Sequence, residues 1–266
     1  MIALRATGAL AALLAAVPGL HVEITGQGPV VVLVHAFHMD LRQWDEQLPA
    51  LRAYRVVRYD VRGHGKSEPS SGDQAAHEDL AAVLRDLGIE RAAAVVGHSM
   101  GGQIAVDFAL AHPAMLDRLV VVSPAVSGFN AAPGPWLKPI IDSVRAGQPQ
   151  RAGELWWDSP FMAGVKARGN AGEPYRQIVM DNARIWTLPR RADTPLQPPA
   201  INRLSELKVR TLVIIGERDE EPLRGLAQRI AAEAPSARLA DMKGVGHMAP
   251  MERPAEFNRL LVEFLR

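Results

Sequence analysis

The sequence predicts an α/β fold: a mostly parallel β-sheet with helices on both faces, interrupted by an inserted helical segment. Three observations lead there. Short runs rich in Val, Leu and Ile alternate with stretches of helical periodicity, the mark of βαβ units. That alternation stops at Ser123 and resumes near Lys208. The chain has 266 residues, 48% hydrophobic and 22% charged, enough to build a large core without metals or disulfides.

The elements follow in order. His21–Thr25 and Val30–Val34 read as strands, the second an unbroken apolar run of the kind buried on both faces. Arg55–Tyr59 reads as a third. From Asp73 to Leu87, the apolar Leu80, Val83, Leu84 and Leu87 form a helical stripe, and Gly88 closes the helix as a left-handed cap. A strand at Ala93–Val96, a helix over Met100–Ala111 and a strand at Leu119–Val122 come next. After the interruption the pattern continues with a strand (Thr211–Ile215), a helix (Leu223–Ala234) and a strand (Ala237–Met242). A last helix starts at Pro254 with Phe257, Leu260, Leu261, Phe264 and Leu265 on one face.

The interruption is rich in proline and holds Trp136, Trp156, Trp157 and Trp186. The expected division is a core of residues 20–124 and 209–266 with a helical cap over 125–208. Sites in parallel sheets lie at the carboxyl ends of the strands, so a segment inserted there reads as a lid. Residues 1–19 stand apart. Ala9 to Val17 is an apolar run preceded by one charge, Arg5, far short of the ~20 residues that span a bilayer. A helix packed on the sheet, in a cytoplasmic protein, is the expected reading; the alternative is an export signal, although Pro18-Gly19 offers no small-x-small cleavage site.

Composition excludes several functions. Thirty basic and 29 acidic side chains leave a net charge of +1, and no basic block recruits nucleic acid or membrane. The absence of cysteine rules out disulfides, Cys-ligated zinc and a thiol nucleophile. No His pair at i, i+4, acidic calcium-type repeat or phosphate-binding glycine pattern occurs, so neither metal nor cofactor is expected.

Gly97-His98-Ser99-Met100-Gly101 is a G-x-S-x-G pentapeptide placed between a predicted strand and a predicted helix, the setting in which such a serine is a nucleophile. Small residues on either side let the backbones pass closely, and the helix N-terminus favours negative charge on a developing oxyanion. A serine hydroxyl needs a base, and the base an orienting acid. His247, in a glycine-rich loop between the last strand and the last helix, is the expected base. His98 is expected to point elsewhere, His112 to end a helix, His77 to be exposed and His21 to be structural. Asp219, at a strand's carboxyl end, is the expected acid, with Glu217, Glu220 and Glu221 as solvated neighbours. The oxyanion donors are expected to be the N–H groups of Met100 and of Phe37, in the loop His35-Ala36-Phe37-His38. Phe37 can also serve as a pocket wall.

Asp60-Val61-Arg62-Gly63-His64-Gly65-Lys66-Ser67 is similar to the D-x-R-G-x-G-x-S loop of the α/β-hydrolase superfamily. With His35-Ala36, the serine pentapeptide, Gly216-Glu217-Arg218-Asp219 and Gly244-Val245-Gly246-His247, the resemblance spans nearly the whole chain outside the first ~20 residues and the insertion. The order Ser99, Asp219, His247 is that of the superfamily. Around Trp44-Asp45 the chain resembles small bacterial carboxylesterases and 3-oxoadipate enol-lactonase-like proteins. The resemblance implies hydrolysis of a small carboxylic ester or lactone through an acyl-enzyme. Ser99 argues against the branches with an aspartate nucleophile. Carbon–carbon bond hydrolases, the alternative, usually carry Trp after the histidine, where this chain has Met248. A non-catalytic ligand-binding member is a further alternative. The family usually has His-Gly where this chain has His35-Ala36, so the loop must adopt an ordinary backbone at Ala36. The pocket is expected to be apolar, with His38, Trp157, Phe161, Trp186 and Met248 in contact with substrate and Trp156 and Met162 nearby.

Overall fold

The computed structural model describes residues 17–70, 72, 74–130, 132, 134–188, 194 and 196–266. Seven strands form one sheet: β1 (Val22–Thr25), β2 (Val30–Val34), β3 (Arg55–Tyr59), β4 (Ala94–His98), β5 (Arg118–Val122), β6 (Arg210–Gly216) and β7 (Ala237–Met242). Their order is β1-β3-β2-β4-β5-β6-β7. Only β1 runs antiparallel to its neighbour, β3; the other pairings are parallel.

Successive side chains of a strand point to opposite faces, and both faces of the central strands are covered. Val32 and Val34 of β2 enter one core with Leu80 and Leu84 of α1 (Ala76–Asp86), Phe108 of α2 (Met100–Ala111) and Ile230 of α7 (Glu221–Glu233). Val31 and Leu33 enter the opposite core with Trp44, Leu51 and the inner face of α9 (Pro254–Leu265): Phe257, Leu261 and Phe264. Each such side chain contributes roughly 1.5–3 kcal/mol by leaving water. Gly88 has φ +65 at the end of α1, the expected left-handed cap.

Between β5 and β6 lie α3 (Leu137–Arg145), α4 (Pro149–Trp157), α5 (Ala163–Lys166) and α6 (Glu173–Asp181). They pack Ile140, Ala152, Met162, Val165 and Val179 among themselves and rest on Ala36, Met39, Met248 and Met251 of the sheet's carboxyl edge. Polar ties fasten this segment. Arg168 donates to both oxygens of Glu46 at 2.7 and 2.9 Å. Asn182 donates to Asp40 and accepts from the Gly65 N–H, at 2.9 and 2.7 Å. Ala200, Ile201, Leu204 and Leu207 belong instead to the main core beneath the sheet. The separate core of this segment thus includes residues as far as Trp186, while Ala200 onward packs with the sheet.

One expectation changes. His77 is buried, at 7% exposure, because it sits on the turn of α1 that faces the core. The predicted apolar helix or signal at the N-terminus lies outside the described residues except for Val17, which packs in the main core. Among the described residues, no helix is long and apolar enough to cross a membrane.

Candidate active site

β4 ends at His98 and α2 begins at Met100, so Ser99 alone makes the turn, with φ 53° and ψ −111°. A non-glycine residue held at positive φ costs of order 1–3 kcal/mol and persists only where its surroundings impose it. The flanking glycines allow it. A Cβ on Gly97 would lie 2.1 Å from the Gly101 carbonyl oxygen, and one on Gly101 would lie 2.2 Å from that of Val34. The Ser99 N–H donates to Val122 O at 2.9 Å, which pins the turn to β5.

His247 lies in the loop after β7, and its Nε2 is 3.0 Å from Ser99 Oγ. Its Nδ1 is 3.1 Å from each carboxylate oxygen of Asp219. A carboxylate can only accept, so Nδ1 carries the proton and Nε2 is left to accept from the serine hydroxyl. Asp219 follows β6. Gly216 lets the two loops meet, since a Cβ there would lie 2.1 Å from Gly246 O. Burial pushes the Asp219 carboxyl up, but the His247 ring, its hydrogen bonds and the Glu220 N–H outweigh that and hold it below the ordinary carboxylate range. Glu217 and Glu220 take other partners, the Gly244 N–H and Trp136 Nε1.

The loop carrying His247 has two further supports. Glu252, in α8 (Ala249–Glu252), accepts from the N–H groups on either side of it, Gly246 at 2.8 Å and Met248 at 3.0 Å. Burial raises the Glu252 carboxyl above its ordinary range despite those two bonds. The second support is His98, which indeed points away from the serine's hydroxyl. The Ala36 N–H donates to Gln43 Oε1 at 2.9 Å. Gln43 must therefore offer its amide N–H to His98 Nδ1, 3.1 Å away, and His98 Nε2–H donates to His247 O at 2.9 Å. Burial and the neighbouring His247 hold His98 at a pKa of about 3, so the ring is neutral as this chain of bonds requires.

In the loop after β2, Ala36 has an ordinary backbone, as expected; the positive φ falls instead on His38, at 64°. His35 anchors the loop, donating from Nδ1 to Ala36 O at 2.8 Å and accepting the Val61 N–H at Nε2, 2.9 Å away. Among the described residues, the N–H groups of Phe37 and Met100 donate to nothing.

Aromatic side chains enclose the serine's surroundings. Phe161, from the inserted segment, stacks on His247 with ring centres 4.0 Å apart and planes 16° apart. Trp136 and Trp156 pack on Phe161 at 5.0 and 6.0 Å. Trp156 and Trp186 meet Phe37 at 5.5 and 5.3 Å. Met248 is buried in the same cluster. Of the predicted pocket residues, His38, Phe161, Trp186 and Met248 are thus brought together. Trp157 is not among these ring contacts; it is buried in the inserted segment near Gly172, and its neighbour Trp156 takes the inward position. A cavity of about 230 Å³ adjoins Phe37 and Trp186, walled by Ile141, Val144, Ile185 and Leu188. Among the described residues, no cluster of three or more His, Asp or Glu side chains is arranged to hold a metal.

Residues 31–260 match the sequence profile of the alpha/beta hydrolase family. A relative named 2-hydroxy-6-oxononadienedioate/2-hydroxy-6-oxononatrienedioate hydrolase, from Burkholderia vietnamiensis, is 30% identical over 273 residues, covering 93% of this chain and 91% of its own. The crystal structure of the enol-lactonase from Burkholderia xenovorans superposes with a TM-score of 0.78 at 25% identity, over 92% of this chain and 96% of that one. A thermophilic esterase from Thermogutta terrifontis gives 0.77 at 25% identity, over 94% and 95%. The chain belongs to the alpha/beta hydrolase family, whose fold it shares.

Proposed function

We propose that the protein hydrolyses a neutral carboxylic ester or lactone through an acyl-enzyme. The observation that carries this reading is the line Ser99 Oγ, His247 Nε2, His247 Nδ1, Asp219, each step a hydrogen bond of 3.0 or 3.1 Å. Ser99 Oγ attacks the carbonyl carbon while its proton passes to His247 Nε2. The oxyanion that forms takes the N–H groups of Phe37 and Met100. Collapse breaks the bond to the alcohol oxygen, which leaves with the proton from His247 and gives an ester of Ser99. Water then attacks that ester, His247 again taking and returning the proton, and the acid is released. Asp219 fixes the ring and stabilises the imidazolium. Losing one oxyanion donor of this kind typically costs ~100- to 1,000-fold in rate.

Hydrolysis of a carbon–carbon bond is the second reading, since relatives carry that kind of name. The substrates in those names are dioates, with two carboxylates to be neutralised. Among the described residues, no cation stacks on the rings around Ser99, and Arg62, which lines the cavity beside Phe37, is committed to Asp79 through two bonds of 2.8 and 2.9 Å. An uncompensated buried carboxylate costs several kcal/mol, which favours the neutral ester. In this reading residues 125–208 act as a lid whose Phe161, Trp156 and Trp186 shape the acyl site, with His38 and Met248 from the sheet edge.

The test compares kcat/KM for p-nitrophenyl butanoate with that for a dienoate diacid, in the wild type and in Ser99→Ala. The ester is expected to be the better substrate and to be lost in the variant. Preference for the diacid, or ester hydrolysis retained without Ser99, would overturn the reading.

A further inference from the structure

The acyl-transfer steps leave His38 without a role, yet its setting is unusual. The side chain is fully buried, and neither ring nitrogen meets a hydrogen-bond partner. Burial lowers its pKa to about 3 against a small opposing pull from its own main chain. The ring is therefore neutral, with one N–H to give. Nε1 of Trp156 and Nε1 of Trp186 are likewise buried and unpaired.

These three rings form one group. His38 stacks on Trp156 at 5.6 Å and 15°, meets Trp186 at 5.3 Å, and the two indoles lie 5.9 Å apart. Buried polar groups in folded proteins are nearly always paired, because an unpaired one forfeits its hydration without return. Three rings in mutual contact, each with an unpaired buried nitrogen, are therefore a demand for an acceptor. The backbone adds to this, since His38 is carried at φ 64°, where a bulky side chain is strained. An apolar residue would fill the same space without the unpaired ring nitrogens.

The group stands beside the reaction centre. Phe37, whose N–H is assigned to the oxyanion, packs its ring on all three, at 5.8, 5.5 and 5.3 Å. A cavity borders Phe37 and Trp186, both of which pack on His38. Among the described residues, no carboxylate or guanidinium shifts the His38 ring, and a neutral imidazole N–H beside two indole N–H groups suits a neutral oxygen as acceptor.

Resting on the ester reading above, we propose that His38, Trp156 and Trp186 form a donor pocket for a second carbonyl oxygen in the acyl part of the substrate. The substrate class is then esters or lactones of oxo-acids.

The experiment measures kcat/KM for p-nitrophenyl hexanoate and its 4-oxo and 5-oxo analogues, corrected for spontaneous hydrolysis. At least one oxo ester is expected to exceed the plain ester about tenfold, the yield of one well-made neutral hydrogen bond. His38→Phe should bring that ratio to about one, and Trp186→Phe should lower it by a smaller step. Since phenylalanine at φ 64° can impair folding, a second measurement uses Ser99→Ala: tryptophan fluorescence titrated with methyl hexanoate and with its 4-oxo and 5-oxo analogues should show about tenfold tighter binding of an oxo ester. Equal ratios in the wild type, or equal affinities in Ser99→Ala, overturn the donor pocket and assign the three N–H groups to fixed internal water. If no ester is cleaved at all, the ester reading fails, while the titration still decides the pocket.

Discussion

His98 donates from Nε2 to the main-chain oxygen of His247 at 2.9 Å, while its Nδ1 receives the Gln43 amide that also holds Ala36. The loop expected to hold the oxyanion and the loop carrying the proposed base are thereby joined through one neutral, buried ring beneath Ser99. Each bond has a single possible direction, so the chain works in only one protonation state.

Gln43→Leu removes the middle of that chain and leaves the Ala36 N–H and His98 Nδ1 unpaired. It is expected to lower kcat about 10- to 100-fold with little change in KM, and to cost about 1–3 kcal/mol of stability for each group left unpaired. Steady-state kinetics with p-nitrophenyl butanoate and a urea titration read the two effects. A loss of stability with kcat unchanged would show that the link serves folding alone.

Glu252→Gln tests the support on the other side of His247. The Gly246 and Met248 N–H groups meet different oxygens of the carboxylate, and an amide replaces one of those oxygens with an NH2 donor, so one of the two N–H groups would face a donor. A drop of roughly tenfold in kcat is expected, with little change in the far-ultraviolet circular dichroism, since one charge-assisted bond is worth about 1.5–3 kcal/mol. Unaltered kcat would mean that the loop holds its place without the carboxylate.

Gly101→Ala should abolish the serine turn, because the new methyl would sit 2.2 Å from Val34 O. Gly169→Ala meets nothing within 4 Å and faces only the strain of φ 58°. The first substitution is expected to remove activity and to lower Tm more than the second. Equal Tm losses would show that the sheet yields at this point.

Acid should unfold the protein early. His38, His64 and His98 are buried with pKa values of about 3, well below their ordinary 6.5. The folded form stays neutral where the unfolded chain takes up protons, so stability is fully present above about pH 6.5 and falls as pH drops toward 3. Each group removes about 1.4 kcal/mol per pH unit in that window. Denaturant titrations between pH 7 and 5 should give a slope approaching three protons near pH 5. A flat profile over that range would contradict the burial of these rings.

The strands were legible because β2, β4 and β5 are continuous apolar runs, and the serine turn because three small or special residues must stand at fixed spacing around Ser99. Asp219 and His247 followed from loop position at strand ends. Gln43 and Glu252 gave no signal, since a buried polar side chain that pairs with distant main chain has no periodicity or motif. The choice between Trp156 and Trp157 turned on helix phase near the end of α4, which a run of two tryptophans does not disclose. The single-turn helices around Ile201 and Leu204 carry core residues without a strand or helix pattern long enough to read.

The most direct test of the account is covalent. Intact-protein mass spectrometry after exposure to a fluorophosphonate should give one adduct, mapped by peptide sequencing to Ser99, lost in Ser99→Ala and strongly slowed in His247→Ala. An adduct on another residue, no adduct at all, or labelling that survives Ser99→Ala would contradict the assignment of Ser99 as an activated nucleophile.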